Sequence, residues 1–374
     1  MWRRLLARLP AGRRANLTGP IGLEFAAEKL HLMQMEHHAE GSAIIAAASV
    51  AYPGERDDLL ADPARLKSFL RAALRSKPFR GRSVVSCLPA EDVRIMVINY
   101  RPEGGKKPDE AILKAVRERL GELPDALVDF VLIRSPAEDA EEHSALVAIT
   151  TQTCVTSYLD RLAQAGLTTA ALDVRPVALS RLVTSVQPEG GPYANVLLVN
   201  FGASRSYLSV ISGRRLMLDR EVEMGETQLV ARLARTLGMP EAAALRLLQT
   251  AGSPPVDGGT RPETPLDDDD ARRTLGEVLH PALTALGQEI NKTMVYMAGK
   301  TRGDSIERIY LLGSVARYPH AASWVQDLFS QPVEVLNPFA AFAARSDAAV
   351  LKDLDPIAGI AVATGLALWR PAQG

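Results

Sequence analysis

Two similar four-residue segments lie 176 residues apart in this chain, and the same order of elements is expected after each of them. The copies are Glu24–Ala27 and Asn200–Ala203, and an apolar run typical of a β-strand leads into both. Small residues at such a point are typical of a tight turn that enters a β-hairpin. Strands and then helices are expected to follow. The repeat therefore predicts a duplicated α/β fold, with two similar halves and a cleft between them.

Hydrophobic periodicity and end signals place the individual elements. In the first half, Ile21–Glu36 predicts a hairpin that turns at Ala26–Ala27, and Asp62 is the expected N-cap of a helix over Asp62–Ser76. Further strands are expected at Ala43–Ala51, Ser83–Leu88, Val93–Asn99, Ala126–Arg134 and Leu146–Thr150, with helices at Pro108–Leu120, Thr153–Ala165 and Val177–Ser185. In the second half, strands are expected at Val196–Asn200, Ser206–Ile211, Leu216–Val222, Ile309–Leu312 and Pro332–Leu336, with helices at Thr227–Leu237, Glu241–Thr250, Ala271–Lys300 and Pro356–Trp369.

These elements divide the chain into a basic N-terminal segment, 1–18, and two halves, 19–192 and 193–374. The first half carries an inserted α+β subdomain at about 83–150, and the second a mostly helical one at about 226–287 that includes a flexible loop, 252–270. Within the N-terminal segment, Met1–Arg14 predicts a short amphipathic helix with arginines around its apolar face. Two interpretations stay open for it, a weak anchor on an anionic membrane surface or a frayed terminus.

Composition excludes several classes of protein. Lys plus Arg total 43 and Asp plus Glu total 44, and this balance argues against a protein that coats nucleic acid. The longest apolar runs, Ala43–Tyr52 and Ile357–Trp369, are shorter than the roughly 20 residues that a membrane span needs. Two cysteines fit a reducing cytosol. The histidine and cysteine spacing matches no zinc site, and no Walker loop is present.

The duplicated hairpins can carry nucleotide chemistry. Backbone N–H groups in such turns can bind phosphate, and a carboxylate beside each turn can hold Mg²⁺ through water. Gly202, Gly225 and Gly313 are expected at turns where the backbone approaches either itself or a ligand. Glu24 is either a carboxylate that positions metal-bound water or phosphate, or an exposed acid at the end of a strand.

Several short motifs follow one another over most of the chain, roughly from Ile21 to Trp369. They are Gly22–Glu24, Val199–Ala203, Gly225, Gln288–Ile290 with Tyr296, Ile309–Arg317 with Pro319, Pro332–Val335 with Asn337–Phe339, and Gly365–Leu368. In this order and spacing they resemble the type IV pilus assembly protein PilM family, which is actin-like, and no single motif decides the resemblance.

The resemblance implies an actin-like fold of two RNase H-like halves and a site for ATP or ADP with Mg²⁺. The residues that it assigns to this site are Gly22, Glu24, Ala26, Asn200, Gly202, Ala203, Gly225, Glu226, Gly313 and Ser314, with Glu24 and Glu289 as weak catalytic candidates and no protein metal ligand. Ala26, Asn200 and Ser314 depart from the family pattern of Gly, Asp and Gly. We therefore expect weakened nucleotide binding rather than an active ATPase. For Glu289, positioning of a water and an ordinary acid on a helix face are the two interpretations.

The resemblance also implies a function. The expectation is a cytoplasmic scaffold, peripheral on the inner membrane, in a type IV pilus or related secretion machine. Its partners would be a PilN-like membrane protein, bound through a short cytoplasmic N-terminal peptide at the inserted subdomain, and the assembly motor or platform proteins. A homo-oligomer is compatible with this interpretation, and a nucleic-acid partner is not expected. The alternatives are an active ATP-hydrolysing enzyme of the actin, Hsp70 and sugar-kinase group, a type II secretion component like GspL, or a filament former like FtsA.

Overall fold

The structure is a computed structural model that describes residues 17–38, 41–101, 107–133, 142–187, 195–250, 268–300, 305–342, 346, 350 and 357–371. Up to residue 187 the elements are β1 (Leu17–Thr18), β2 (Ile21–Phe25), β3 (Lys29–His38), β4 (Gly41–Ala51), α1 (Arg56–Ala61), α2 (Pro63–Arg75), β5 (Ser83–Cys87), β6 (Arg94–Tyr100), α3 (Pro108–Leu120), β7 (Ala126–Ile133), β8 (His143–Thr151), α4 (Gln152–Gln164), β9 (Thr168–Asp173) and α5 (Arg175–Val186).

From residue 195 they are β10 (Val196–Phe201), β11 (Ser206–Ser212), β12 (Arg215–Val222), α6 (Glu226–Leu237), α7 (Glu241–Thr250), α8 (Asp268–Lys300), β13 (Arg308–Leu312), α9 (Gly313–Ala316), α10 (Ala321–Gln326), β14 (Val333–Val335) and α11 (Ala361–Ala367). Short 3₁₀ helices lie at Ala90–Asp92 and Ile357–Ile360. Among the described helices, none is both long enough and apolar enough to cross a membrane.

The described residues form two compact units. The domain bounds expected from the sequence remain a prediction. The first unit takes its described residues from Met1–Tyr193, Arg214–Leu218 and Pro338–Gly374. The second takes them from Ala194–Gly213 and Asp219–Asn337. The chain therefore returns to the first unit after it has built most of the second.

The central sheet of the first unit has six strands. β2, β3 and β4 are antiparallel neighbours, and β1 pairs with the far end of β3. β5 joins β2 in parallel, and β9 joins β5 in parallel. Leu23 of β2 is fully buried between Leu32 of β3 and Ser86 of β5. Apolar side chains of α2 and α4, among them Leu66 and Leu162, complete this core.

The sheet of the second unit repeats this plan. Its order is β12, β11, β10, β13 and β14, with β10 antiparallel to β11 and parallel to β13. The hairpin registers also agree, since Glu24 pairs with His31 and Asn200 pairs with Tyr207. Each pair spans the same number of residues, so both copies of the repeated segment end their first strand at the same point of a hairpin. The predicted duplication is confirmed.

Local end signals were also sufficient to place α2. The side chain of Asp62 accepts hydrogen bonds from the backbone N–H groups of Ala64 and Arg65, both at 3.0 Å. These N–H groups have no partner within the helix, and an N-cap carboxylate supplies one. Pro63 follows at the first helical position, where its missing N–H removes no helical hydrogen bond. Leu66 and Leu70 are buried on the inner face.

Several parts of the fold differ from the sequence expectation, and the short elements β1 and α1 were not predicted. β9 was not predicted, because Thr168–Asp173 is a short edge strand whose residues are mostly half-buried and lack a clear apolar alternation. α8 begins at Asp268, inside the loop expected over 252–270, since acidic residues favour the first turn of a helix. The rest of that loop, and the amphipathic helix expected at Met1–Arg14, lie outside the described residues.

The inserted subdomain is a three-stranded antiparallel sheet with one helix. The strand order is β6, β8, β7, and α3 covers one face. Ile112 and Val116 of α3 are buried against that face, where Val128 and Phe130 of β7 contribute partly buried side chains. Because side chains alternate along a strand, the other residues of β7 face the opposite side of the sheet.

In the first unit, the backbone of helix α11 lies close to the backbone of β2 and of α5. A Cβ on Gly22 of β2 would lie less than 3.0 Å from the carbonyl oxygen of Ala363, and a Cβ on Gly365 would lie less than 3.0 Å from that of Ala178 in α5. All seven residues of α11 are buried. The two glycines therefore let one small-residue helix lie directly against β2 and α5. This packing explains Gly22 without a ligand.

We predict that Gly365→Ala lowers the free energy of unfolding by about 2 kcal/mol or more, since overpacking a tight site costs about 1–3 kcal/mol. Gly54→Ala is the matched control, because a Cβ there has no heavy atom within 4 Å. Both changes remove similar freedom from the unfolded chain. Denaturant titration of the two variants gives the comparison, and equal stabilities would contradict the packing described for α11.

Candidate functional site

In the second unit, the turn after β10 meets the start of α6. The N–H of Glu226 donates to the carbonyl oxygen of Gly202 at 3.0 Å, and the N–H of Thr227 donates to that of Ala203 at 2.8 Å. A Cβ on Gly225 would lie 2.7 Å from the Gly202 oxygen and 2.6 Å from the Ala203 oxygen. Gly225 is therefore required for this close approach. The first N–H groups of α6 are already bonded to the turn.

The turn after β13 lies against the same loop. Gly313 has a φ of +80°, and a Cβ there would lie 2.7 Å from Oδ1 of Asn200 and closer still to the carbonyl oxygen of Phe201. Glycine is thus required for both its conformation and its contacts. The hydroxyl of Ser314 lies 3.3 Å from the carbonyl oxygens of Phe201 and Gly202. Ser314 therefore directs its side chain to the hairpin turn.

Glu226 links these segments through its side chain. Its carboxylate is 5% exposed, and Oε1 accepts hydrogen bonds from Nη2 of Arg317 at 2.9 Å and from the hydroxyl of Tyr318. Burial, and then the hydrogen bond to Glu226, raise the pKa of Tyr318, so its hydroxyl stays protonated as a donor. The carboxylate is thus engaged by the protein itself, and it ties the segment after β13 to the start of α6.

In the first unit, the corresponding turn closes with alanine. The N–H of Ala26 donates to the carbonyl oxygen of Lys29 at 3.1 Å, as that of Gly202 does to Arg205 at 2.9 Å. Ala26 does not have a positive φ. The hydroxyl of Tyr52 lies 2.8 Å from the Ala26 carbonyl oxygen and 3.0 Å from that of Lys29, and shares its proton between them. The alanine is accommodated, and two turn carbonyls are already bonded.

Glu24 lies beside this turn, at the carboxyl end of β2. Its Oε2 is buried and has no hydrogen-bond partner among the described residues. Burial raises the pKa of Glu24 to about 7, against the opposing charge of Arg175. Burial, and then the charge of Glu24, raise the pKa of Cys87 at the end of β5 to about 12. The carboxyl group of Glu24 therefore lies in surroundings of low polarity, and one of its oxygens can accept a hydrogen bond from a ligand.

Glu289 lies elsewhere in the second unit, on α8. Nη2 of Arg220 donates to its Oε2 at 2.5 Å, and Nζ of Lys292 donates to its Oε1 at 2.6 Å. The bond to Lys292 is the main cause that lowers its pKa. The side chain is therefore held as a charged member of an ion-paired group. Across the ranges that the structure describes, no cluster of three or more His, Cys, Asp or Glu side chains could hold a metal ion.

The structure thus groups the predicted site residues by unit. The second unit brings together one set, which comprises Asn200, Gly202, Ala203, Gly225, Glu226, Gly313 and Ser314. The first unit holds Gly22, Glu24 and Ala26 on one hairpin. The fit to a nucleotide is incomplete, because the N–H groups of Gly202 and Glu226, the Ser314 hydroxyl and the Glu226 carboxylate already have partners within the protein. The orphaned oxygen of Glu24 is the feature that favours a ligand.

A groove in the first unit was not located from the sequence. Its cavity of about 180 Å³ lies between the inserted sheet and the start of α5. Leu127, Asp129 and Val131 of β7 line it, on the face opposite to α3. The rest of its lining is mostly apolar and includes Ile95, Leu146, Ala148, Leu172, Pro176 and Val177. The signal in the sequence was that β7 is apolar at every position except Asp129, so that both faces of the strand present apolar side chains.

The family model described as type IV pilus assembly protein PilM matches residues 22–255 and 269–371. This chain belongs to the PilM family. The match covers both units, including the turns after β2, β10 and β13. The chain is therefore a type IV pilus assembly actin-like protein, as the sequence motifs indicated.

Several solved structures are similar to this chain. The PilM–PilN type IV pilus biogenesis complex matches with a TM-score of 0.71 at 24% identity, over 95% of this chain and 98% of that chain. EutJ of Carboxydothermus hydrogenoformans matches with a TM-score of 0.49 at 14% identity, over 98% and 93%. MreB5 of Spiroplasma citri bound to ADP gives 0.46 at 11%, over 86% and 93%. The first match shows the actin-like α/β fold, and the other two carry no further argument.

We predict that the buried carboxyl of Glu24 lowers stability as the pH rises. Between the ordinary pKa of 4.5 and about 7, the folded state holds a proton that the unfolded state has lost. Stability therefore falls through this window, by up to about 1.4 kcal/mol per pH unit. Glu24→Gln removes this titration. The free energy of unfolding of the variant, relative to that of the unaltered protein, should therefore increase from pH 5 to pH 8.

Denaturant titrations at several pH values measure this difference. Glu28→Gln removes an exposed carboxylate from the same turn and should follow the unaltered protein. A constant difference between Glu24→Gln and the unaltered protein over this range would show that the Glu24 carboxyl is not buried as described.

Proposed function

We propose that this PilM-family chain is a cytoplasmic scaffold on the inner membrane, in a type IV pilus assembly platform. It would bind a short cytoplasmic N-terminal peptide of a PilN-like membrane protein and link it to the platform and its motor. The solved complex that matches this chain names PilN as the partner of that PilM. The observation that carries the proposal here is the apolar groove beside the inserted sheet.

The groove suits an extended peptide. Apolar side chains line it from two directions, with β7 and β8 of the insert on one side and the β9–α5 junction on the other. A strand-like peptide directs alternate side chains to opposite sides, so it can place apolar groups in such a cavity. Asp129 is an acidic residue in the lining, and it favours a peptide with a basic group nearby.

We predict that Val131→Asp weakens binding of the peptide at least tenfold, because it places a charge in the apolar groove. Leu132→Asp is the matched control on the next residue of β7. Val131 is 49% exposed and Leu132 is 44% exposed, so both changes should disturb folding similarly. Leu132 points to the other face of the sheet.

The measurement is fluorescence anisotropy, with a labelled peptide from the cytoplasmic N-terminus of a PilN-like protein. Retained binding in Val131→Asp would exclude the groove as the binding place. Equal losses in both variants would mean that the insert is disturbed rather than that the groove is blocked.

We further propose that nucleotide binding is weakened in this chain. Ala26, Asn200 and Ser314 stand where the family pattern has Gly, Asp and Gly. The Ser314 hydroxyl and the Glu226 carboxylate have protein partners, and the turn carbonyls after β2 and β10 are bonded as well. Glu24 is the group that retains an unsatisfied buried oxygen toward such a ligand.

We predict weak or undetectable heat of binding when ATP with Mg²⁺ is titrated into the protein in a calorimeter. Ala26→Gly combined with Asn200→Asp should raise the affinity, because it restores a small turn residue and a carboxylate. Tight binding by the unaltered protein, with steady phosphate release, would favour the alternative of an active ATPase.

A further inference from the structure

A long stretch of the first unit carries positive charge without any negative charge. Between Asp62 and Glu91 the sequence has no acidic residue and seven basic ones, Arg65, Lys67, Arg71, Arg75, Lys77, Arg80 and Arg82. We call these seven residues the basic face. The stretch covers α2 and the loop that enters β5. The net charge of −1 for the whole chain hides this concentration.

Helix α2 presents a row of these charges to solvent. Lys67, Arg71 and Arg75 are spaced by four residues, so they lie on one side of the helix. All three are exposed, and buried Leu66 and Leu70 hold the opposite side against the core. Neither Arg71 nor Arg75 has an ion-pair partner in the described part of the chain. The row is therefore free to act on an external surface.

The loop after α2 extends the charge to the amino end of the parallel strands. Arg80 and Arg82 are exposed, and Glu36 is the acidic residue near Arg80, at 3.9 Å. Arg82 precedes β5, whose parallel pairing with β2 places it at the end where β2 also begins. The basic face therefore continues from the side of the unit onto one end of its sheet.

The chain enters the first unit at this same end. The side-chain amide of Gln34 donates to the carbonyl oxygen of Gly19 at 3.0 Å and to that of Arg80 at 2.8 Å, and its Oε1 accepts from the N–H of Arg80 at 2.8 Å. Gln34 is 1% exposed. One buried side chain thus joins residue 19 directly to the basic loop. The segment 1–16, with five arginines and the apolar Trp2, Leu5, Leu6 and Leu9, leads into this point.

A third segment reaches this end as well. Exposed Arg370 lies with Nη2 3.4 Å from Nδ1 of His37, at the end of β3. Trp369 precedes it and is partly exposed. A cation beside a tryptophan is a pairing that suits the headgroup region of a bilayer.

We propose that the basic face and the adjoining end of the first unit bind the headgroups of an anionic phospholipid bilayer. The inference goes beyond the peptide partner, since it gives this chain a lipid contact of its own. The partly exposed Trp369 and the exposed Arg370 lie at this same end, and aromatic and basic side chains together suit a lipid surface better than a nucleic acid. Aligned lysines and arginines need no specific geometry to attract a charged surface, and the attraction falls with salt.

The test is flotation of the full chain with vesicles that contain no other protein. Vesicles of phosphatidylglycerol and phosphatidylethanolamine should carry the protein at low salt, and vesicles of phosphatidylcholine should not. The variant Arg71→Ala, Arg75→Ala, Arg82→Ala should lower the partition coefficient about 100-fold, since each basic residue near such a surface contributes roughly fivefold. The corresponding Lys variant, with Arg71→Lys, Arg75→Lys and Arg82→Lys, should retain binding, which excludes a folding defect at these positions.

The matched control removes the same charge from α3 and its start, with Lys107→Ala, Lys114→Ala and Arg117→Ala, all exposed. It should bind vesicles like the unaltered protein. The proposal is overturned if anionic vesicles do not carry the chain, or if the α2 variant binds as well as the control. Tighter binding to duplex DNA than to the vesicles, at equal salt, would also overturn it in favour of a nucleic-acid surface.

Discussion

The fold of the first unit depends on how closely backbone approaches backbone at α11. Gly22 and Gly365 leave no side chain between this helix and its neighbours β2 and α5. Arg181 of α5 donates to the carbonyl oxygen of Gly365 and also pairs with Asp173 at the end of β9. A partly buried cation is tolerated when it is bonded on both sides. Helix α11 is therefore held by packing and by the hydrogen bond from Arg181. Strand β2, which carries Glu24, is positioned by its contact with this helix.

In the second unit, the loops named by the family motifs form one hydrogen-bonded assembly. The turn after β10 caps α6, the segment after β13 bonds that turn through Ser314, and Glu226 receives Arg317 and Tyr318. A loop built for a ligand usually leaves donors for it. Here the N–H groups of Gly202, Glu226 and Thr227 and the hydroxyl of Ser314 have partners within the protein. These contacts hold the three loops of the second unit together without a ligand.

Sequence reasoning succeeded where the cause is local. Asp62 and Pro63 fix the start of α2 by their own chemistry, and small residues at 26–27 and 202–203 mark tight turns. It missed β9, because a short half-buried edge strand is defined by its pairing with β5 rather than by its own pattern. It assigned Gly22 to a ligand, whereas the structure places α11 against it, and α11 lies more than 300 residues later in the chain. The hydrogen bonds of Glu226 to Arg317 and Tyr318 could not be predicted either, because these residues lie about 90 positions later in the sequence.

The path of the chain has a consequence for synthesis. The first unit includes α11, which the ribosome delivers about 175 residues after the end of α5. At roughly 5–20 residues per second this interval is about 10–35 s. During that time the surface of β2 and α5 that α11 will cover is exposed, while nearly all of the second unit is already available to fold. A chaperone that shields apolar surface on a nascent chain would therefore meet the older unit of this protein as the unfinished one.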